Sequence, residues 1–435
     1  MILSGSARLL RLEDALERIL SRARPLPAED CAPEDAAGRV LAAPVVAATS
    51  LPPWDNTAMD GFAVRSSDVA RASEAATVEL RVVGEVAAGH VPARAVEPGT
   101  ALRITTGAMI PAGADAVVPV EDTDASLGVS VLPDAVRVRA PARPGANLRR
   151  AGEDVRLGET VLQAGRVLGP AAVALAAACG AARVAVYRRP RVGILATGDE
   201  LTPAGQPLAA GRIHDSNTPL LVAQSRAAGA VATSFGIAPD DPFTLAGMLV
   251  EAVSHSDVVV LSGGVSVGAH DHVKDAFETL GEVAFWRVAI QPGKPLAFGW
   301  TTAGRAGDVT EPERPVALFG LPGNPVSAFV TFELFVRPLL RTLGGRGQDA
   351  GRRRVQATLA EPVTKSPGRR AFLRVRLEPD PARPGRLLAR PAGGQGSHML
   401  SGLAAADGLA VIQEDVPGLP AGSDVEVREL GDEGA

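Results

Sequence analysis

RVGILATGDELTPAG (191–205), DVVVLSGGVSVGAHDH (257–272) and PVALFGLPGNPVSA (315–328) share one grammar. Each opens on a short apolar run, turns on glycine and leads toward a helical pattern. VATSFGIA (231–238) and VAFWRVAI (283–290) also read as strands. Helical spacing occupies 218–229, 242–254, 271–280 and 325–342; in the second of these Leu245, Met248, Leu249 and Ala252 repeat on one face. Apolar strands alternating with helices predict a doubly wound α/β domain, its mostly parallel sheet covered on both faces. Such sheets bind ligands in the loops at the carboxyl ends of their strands.

The texture differs on either side of this stretch. Residues 8–45 read as helical, ending near Gly38, with Leu12, Leu16, Ile19 and Leu20 on one face. From Thr49 the chain is Pro-rich, then carries short strands at VELRVVGEV (78–86), TALRITTG (100–107) and DAVVPVE (115–121), as in a small β-domain. A second Ala-rich helical stretch covers 157–182, so the β-region reads as an insertion into a helical layer. At the far end, 350–435 alternates in short strands between Pro and Gly turns and predicts a small β-barrel or sandwich. Residues 300–314 read as a hairpin excursion with no assigned function.

Composition narrows the function. The 435 residues are enough for two to four domains. A net charge of −5 gives no bulk attraction to nucleic acid. Cys31 and Cys179 lie far apart, which excludes a disulfide framework or a four-ligand zinc module and suits a reducing compartment. The most membrane-like stretch, between Arg166 and Arg183, is broken by Gly169, Pro170 and Gly180 and is too short to span a bilayer. The N-terminus has no signal-peptide pattern. A cytoplasmic protein is expected, with neither nucleic acid nor membrane as partner.

Three loops carry candidate chemistry. ATGDELTPAG (196–205) puts Asp199 and Glu200 after a strand. LSGGVSVGAHDH (261–272) combines Gly263, Gly264 and Gly268 with Ser262 and Ser266, a loop suited to converging backbone amides on an anion. FGLPGNPVSA (319–328) offers Pro322, Gly323, Asn324 and Ser327 at another helix start. Their spacing matches neither the phosphate-loop nor the dinucleotide fingerprint. Only Lys274, Lys294 and Lys365 of the 44 basic residues are lysines, and two of them lie near these loops. A lysine binds phosphate as a compact point charge. Carboxylates Asp60, Glu200, Asp240, Asp241 and Asp271 suit a hard cation such as magnesium. His270 and His272 around Asp271 lack the third separated ligand a zinc enzyme usually shows, and read instead as solvated or capping histidines. PPWDNTAMDGFAVR (52–65) reads as an ordered loop anchored by Trp54 and Phe62. No Ser-His-Asp arrangement is present.

Taken in order, PPWDNTAMDGFAVR, RITTGAMIPAGADAVVPVED, ATGDEL, DDP, SGGVSVGAHD, QPGKP, GLPGNPVS and GGQGSH resemble the molybdopterin molybdenumtransferases, the family that includes the C-terminal domain of gephyrin. The resemblance runs from about residue 8 to 430. It implies four domains: a split helical domain (8–48 and 146–188), an inserted β-domain (49–145), an α/β molybdopterin-binding domain (189–345) and a C-terminal β-barrel (350–435). It also implies a homodimer whose cleft lies between the α/β domain of one subunit and the inserted domain of the other. The implied reaction turns adenylylated molybdopterin and molybdate into molybdenum cofactor and AMP, assisted by magnesium, with a molybdopterin adenylyltransferase as the expected supplier. By motif, the implied catalytic residues are Asp60, Thr106, Glu200, Asp240, Asp271 and Lys294, with Glu200, Asp240 and Asp271 as metal ligands. Substrate contacts are expected at Ser262, Gly263, Gly264, Ser266, Gly268, Arg287, Pro322, Gly323, Asn324, Ser327, Arg369 and Ser397.

The sequence departs from the family pattern at three places. Arg287 and Gln291 stand where lysines are usual, and Ala371 in GRRAF (368–372) stands where an acidic residue is common. Arg287 keeps its charge and Gln291 loses it; Arg287, Arg369 and Arg374 are the residues that could compensate. A scaffold derived from the enzyme would lack the carboxylates, and a nucleotide-processing relative would lack the inserted domain. Both features are present. Tungstate, close to molybdate in size and charge, stays an alternative metal oxyanion.

Overall fold

The computed structural model describes residues 9–126, 131–264, 276–277, 280–303, 314–347, 351–381 and 383–431. Its central sheet has six strands: β1 (Arg191–Thr197), β2 (Val231–Ala238), β3 (Val258–Ser262), β4 (Glu282–Arg287), β5 (Pro295–Ala303) and β6 (Arg314–Leu321). They lie in the order β2-β1-β3-β6-β5-β4. The first four in that order are parallel, and β5 and β4 add on antiparallel. The chain leaves β1 for β2 and returns on the other side as β3. This reversal puts a topological switch point, the usual ligand position of such sheets, at the carboxyl ends of β1 and β3.

The apolar content of β3 explains its central place. Val258, Val259, Val260 and Leu261 are all fully buried, because helices cover both faces of the sheet. Helices Asn217–Ala227 and Pro242–His255 follow β1 and β2. On the same side as Leu221, the segment Pro325–Thr331 continues through a π turn (Phe332–Val336) into helix Arg337–Leu343. The sequence reading missed β5, whose opening Gly-Lys-Pro reads as a loop. The 271–280 helix reading falls largely outside the described residues, as does most of the 300–314 excursion.

The expected helical run over 8–45 is corrected. Only Leu12–Leu20 is α-helical; the strand Ala28–Cys31 and a 3-10 turn at Pro33–Ala36 follow. Pro25, Pro27 and Pro33 break the pattern, since proline removes a backbone donor and clashes with the preceding turn. Leu12, Ala15, Ile19 and Ala23 pack into the α/β core and not with the split unit expected for them. The second helical stretch likewise shrinks to Pro170–Ala178, after strand Thr160–Leu162. Two separated segments nevertheless share a core: Ala36, Leu41 and Val45 meet Leu162, Leu168, Val184 and Val186.

Between these segments, Ala116–Pro119, Gly61–Val64, Thr100–Ile104, Val78–Val86 and Ala135–Val138 form a five-stranded sheet in that order. Its hydrophobic clusters draw only on residues between Phe62 and Leu148. PPWDNTAMDGFAVR is more ordered than a loop, containing strands Asn56–Thr57 and Gly61–Val64.

At the C-terminal end, Arg370–Pro379 pairs with both Leu387–Pro391 and Gly408–Ile412. Together with Arg354–Leu359 and Asp424–Glu429 this closes a five-stranded barrel, which decides between the barrel and the sandwich. Alternation splits the faces of the longest strand: Ala371 and Val375 fill the barrel, while Phe372 packs toward the α/β core. A short strand from the α/β side, Ile290–Gln291, adds in parallel to Arg370–Ala371. Arg370 spans the seam, ion-paired to Glu13 of the first helix (2.6 Å) and to Glu414 (2.9 Å).

Candidate active site

The ends of β1, β3 and β6 converge. Gly263, at φ +101°, passes so close to β1 that a Cβ there would lie 2.6 Å from the Thr197 carbonyl oxygen. Its N–H donates to the Leu321 carbonyl at 3.1 Å. The Nδ2 of Asn217 donates to Ser262 Oγ and to the Gly323 carbonyl, each at 2.7 Å, and so ties the second glycine loop to the third. Asp215 fixes the start of that helix by accepting from the N–H groups of Asn217 and Thr218, both at 3.0 Å. Sequence reasoning missed Asp215 and Asn217. The signal was the DSNT run, which places capping residues at a helix start.

Carboxylates gather at the mouth of the same loops. Glu200 folds back over Gly198, where a Cβ would lie 2.4 Å from Glu200 Oε2. Thr197 Oγ1 donates to Asp240 Oδ1 at 3.3 Å. The N–H of Asp240 donates to Asp199 Oδ1 at 3.3 Å, which draws in a carboxylate named in the sequence but left without a role. Asp199, Glu200 and Asp240 are all exposed. Beside them opens a cavity of about 910 Å³ walled by Asp199, Leu201, Arg212, Thr218 and Arg226, within the range of small-molecule sites.

The cations come from the β4–β5 connection. Arg287 pairs in register with Pro295, and the Val288 N–H donates to the Lys294 carbonyl at 2.8 Å. Arg287 is exposed and Lys294 half-buried. Gly293, at φ +99°, lets this turn sit against the helix that follows β6: a Cβ there would lie 2.6 Å from Thr331 Oγ1. Gln291 Oε1 is buried with no hydrogen-bond partner.

The barrel contributes its own loop. The Val326 N–H donates to the Ser397 carbonyl at 3.1 Å, so Ser397 lies against the loop of Pro322, Gly323, Asn324 and Ser327. Asn324 occupies the N-cap position but makes no side-chain capping bond. Beneath Ser397, Arg374 is 1% exposed and donates to the Gly394 carbonyl at 2.6 Å. Gln395 brackets it, accepting from the Arg374 N–H and donating to the Arg374 carbonyl, both at 3.0 Å. Burial pushes the guanidinium of Arg374 below its ordinary pKa. Arg369 follows a turn held by Lys365, whose Nζ donates to the Arg369 and Glu414 carbonyls at 2.8 Å. Lys365 is therefore a structural lysine, and burial lowers its pKa.

Asp60 and Thr106 come together on the inserted domain. Asp60 Oδ1 accepts from the Thr106 N–H at 2.6 Å and from its hydroxyl at 2.8 Å. The backbone bond first, then the hydroxyl, hold this carboxyl below the usual aspartate range. A cavity of about 360 Å³ beside it is lined by Phe62, Ile104 and the Glu85–Arg103 pair. This pair of residues belongs to a separate core from the α/β loops. Ser266, Gly268, His270, Asp271, His272 and Lys274 lie outside the described residues. Among the described residues, no group of three His, Cys, Asp or Glu side chains is placed to hold a metal.

Comparison with known proteins matches the chain in three successive segments. Residues 10–180 match the MoeA N-terminal region (domain I and II), 193–342 the probable molybdopterin binding domain, and 356–430 the MoeA C-terminal region (domain IV). Molybdopterin molybdenumtransferase 2 of Mycobacterium tuberculosis is 41% identical over 401 residues, covering 91% of this chain and 93% of the relative. Molybdopterin molybdenumtransferase of Haemophilus influenzae is 35% identical over 430 residues, covering 97% and 98%. The solved structure of a molybdopterin biosynthesis MoeA protein from Pyrococcus horikosii superposes with a TM-score of 0.77 at 35% identity, covering 98% of this chain and 100% of that one. With relatives so similar over nearly the whole chain, and with the family's loops assembled at one end of its sheet, this protein belongs to the molybdopterin molybdenumtransferases, enzymes of molybdenum cofactor biosynthesis.

Proposed function

We propose that the chain transfers molybdenum from molybdate into adenylylated molybdopterin and releases AMP. The observation that carries this reading is the Asn217 tie. It holds two glycine loops together at the sheet's carboxyl end, with carboxylates on one side and the Lys294 turn on the other. Backbone amides such as those of Gly264 and Gly323, in the loops after β3 and β6, would receive the phosphates of the substrate, the Gly263 N–H being taken by the Leu321 carbonyl. Lys294 and Arg287 would balance their charge and help to draw in the oxyanion. Ser397 and Arg369 would close the site from the barrel side.

The bond to be broken is a phosphoanhydride, which needs an oxygen nucleophile in line and charge stabilisation at the leaving oxygen. No protein nucleophile is required. Glu200 and Asp240, both exposed at the mouth, fit a magnesium ion bound by one or two carboxylates and completed by substrate oxygens, with Asp271 as the third expected ligand. When bound, that ion would neutralise phosphate charge. The residues of the chain do the rest: the loops orient the phosphates, and Asp60, kept ionised by Thr106, supplies a fixed negative charge or hydrogen-bond acceptor at the opposite wall.

That opposite wall belongs to a second subunit in this proposal. Each cleft of a homodimer would combine the α/β loops of one chain with Asp60 and Thr106 of the other. A molybdopterin adenylyltransferase would supply the substrate. The reading is tested by following AMP release from adenylylated molybdopterin, with and without molybdate, in the wild type and in Lys294→Ala. Molybdate-dependent release that falls by at least about tenfold in the variant supports it. Equal release without molybdate would make the protein a hydrolase on the same fold.

A further inference from the structure

The candidate site is spread across the strand order β2-β1-β3-β6-β5-β4. The glycine loops follow β3 and β6, in the middle of the sheet. The Lys294 turn joins β4 to β5 at one flank. At the opposite flank, between β2, the 201–212 segment and the helix Asn217–Ala227, lies the cavity of about 910 Å³. Four strand spacings separate β2 from β5, about 19 Å. A molecule with a ring system on each side of a pyrophosphate can span that distance, one half to each flank.

Two side chains in the cavity wall are left unused by the fold. Asp215 is only 8% exposed. Its Oδ1 accepts both N–H groups of the helix start, whereas Oδ2 makes no hydrogen bond among the described residues. A carboxylate this far removed from water costs free energy until both oxygens find donors. Arg226 lies eight residues along the helix from Thr218, about 12 Å away, and is exposed with no ion pair among the described residues. Between the two, the wall is apolar, from Pro219, Val222 and Ile237.

We infer that this cavity is the nucleoside subsite, in which Asp215 Oδ2 accepts the ribose hydroxyls and the base lies along the apolar wall toward Arg226. The inference rests on the transfer reaction proposed above and fixes the direction of its substrate. The oxyanion must arrive beside the half that takes up the metal, and the cations that would draw it in, Arg287 and Lys294, are on the β4–β5 flank. That half therefore faces Lys294, and the nucleoside that departs with its phosphate faces β2. A vicinal diol gives two O–H donors to one carboxylate, the pairing that acidic residues make with ribose in dinucleotide-binding sheets. A guanidinium stacks on any base face, so the cavity reads the sugar more than the base.

The test is calorimetric titration of the full-length protein, with magnesium, using AMP, 2′,3′-dideoxy-AMP and neopterin as separate probes. Wild type is compared with Asp215→Asn, which keeps an Oδ1 acceptor for the helix start. It is also compared with Ala223→Trp, at an exposed position of the cavity wall, which fills the space. The expected result is that the wild type binds AMP at least about tenfold more tightly than dideoxy-AMP, the loss of one charge-assisted hydrogen bond. In Asp215→Asn that preference disappears while dideoxy-AMP binds as before, a pattern that general damage to the fold would not produce. Ala223→Trp loses AMP binding. Equal affinity of the wild type for the two nucleotides overturns the inference, as does AMP binding untouched by both variants. Neopterin binding abolished by Ala223→Trp while AMP binding survives would put the other half of the substrate in the cavity and overturn the direction. The result is separable from the fate of the proposed reaction. Ribose discrimination through Asp215, in a protein without molybdate-dependent AMP release, supports the subsite and removes the reaction. Molybdate-dependent release by a protein indifferent to the ribose hydroxyls overturns the subsite alone.

Discussion

Asp60 owes its ionisation at low pH to one neighbour. The Thr106 N–H remains when valine replaces the threonine, whereas the hydroxyl bond at 2.8 Å does not. Thr106→Val is therefore predicted to raise the Asp60 pKa part of the way back to its ordinary value, read by carboxyl-carbon NMR titration. The linkage has a definite sign. The folded pKa lies below the ordinary 3.8, so the stabilisation is present above that value and disappears as pH falls through the folded one. Asp257 differs because it is buried, with a side chain 5% exposed, and accepts from both Arg188 nitrogens and from the Arg191 N–H at 2.7 Å. Asp257→Asn leaves Arg188 without its counter-charge. The predicted cost is about 3–5 kcal/mol, measured as a fall in the urea midpoint at constant slope.

Among the elements, the loops at the carboxyl end of the sheet depend on single hydrogen bonds that no periodicity reveals. Asn217→Asp keeps the size of the side chain but turns a donor into an acceptor facing the Gly323 carbonyl. It is predicted to separate the second and third loops and to lower kcat/KM by about tenfold or more, with a smaller effect on melting, since the helix start keeps its Asp215 cap. The elements themselves were legible where the chemistry is repetitive. β1, β2 and β6 were placed to within a residue: β1 and β6 are buried and read as continuous apolar runs, whereas β2 is a largely exposed edge strand bounded by glycine and proline. β5 was hidden behind Gly293 and Lys294, residues that are there for the turn against Thr331 and for its charge. The PPWDNTAMDGFAVR strands were hidden by the polar residues that make Asp60 available. Proline punctuation cut short the first helix, a signal present in the sequence but outweighed by the amphipathic pattern ahead of it. Glu200, Asp240 and Ser397 were singled out through motifs, and the structure places Asp240 beside Thr197 at the end of β1 and Ser397 against the loop after β6. Asn217 and Arg374 needed the fold, since what they hold together is far apart in the chain.

For the whole molecule, the notable feature is the division of candidate groups between independent cores. Asp60 and Thr106 ride on the inserted domain, whose apolar clusters end at Leu148, while Lys294 and the glycine loops belong to the α/β body. If each cleft joins two subunits, Asp60→Ala and Lys294→Ala chains, each inactive alone, will complement when refolded together. Random pairing then restores about a quarter of wild-type activity, because half of the dimers are mixed and each has one intact cleft. Clefts built within one chain would show no recovery. The account as a whole is tested most directly by a single turnover on adenylylated molybdopterin with molybdate, in which released AMP and protein-bound molybdenum are counted together. It predicts that the two appear in equal amounts and that both are lost in Lys294→Ala. AMP formed without matching molybdenum incorporation would contradict it.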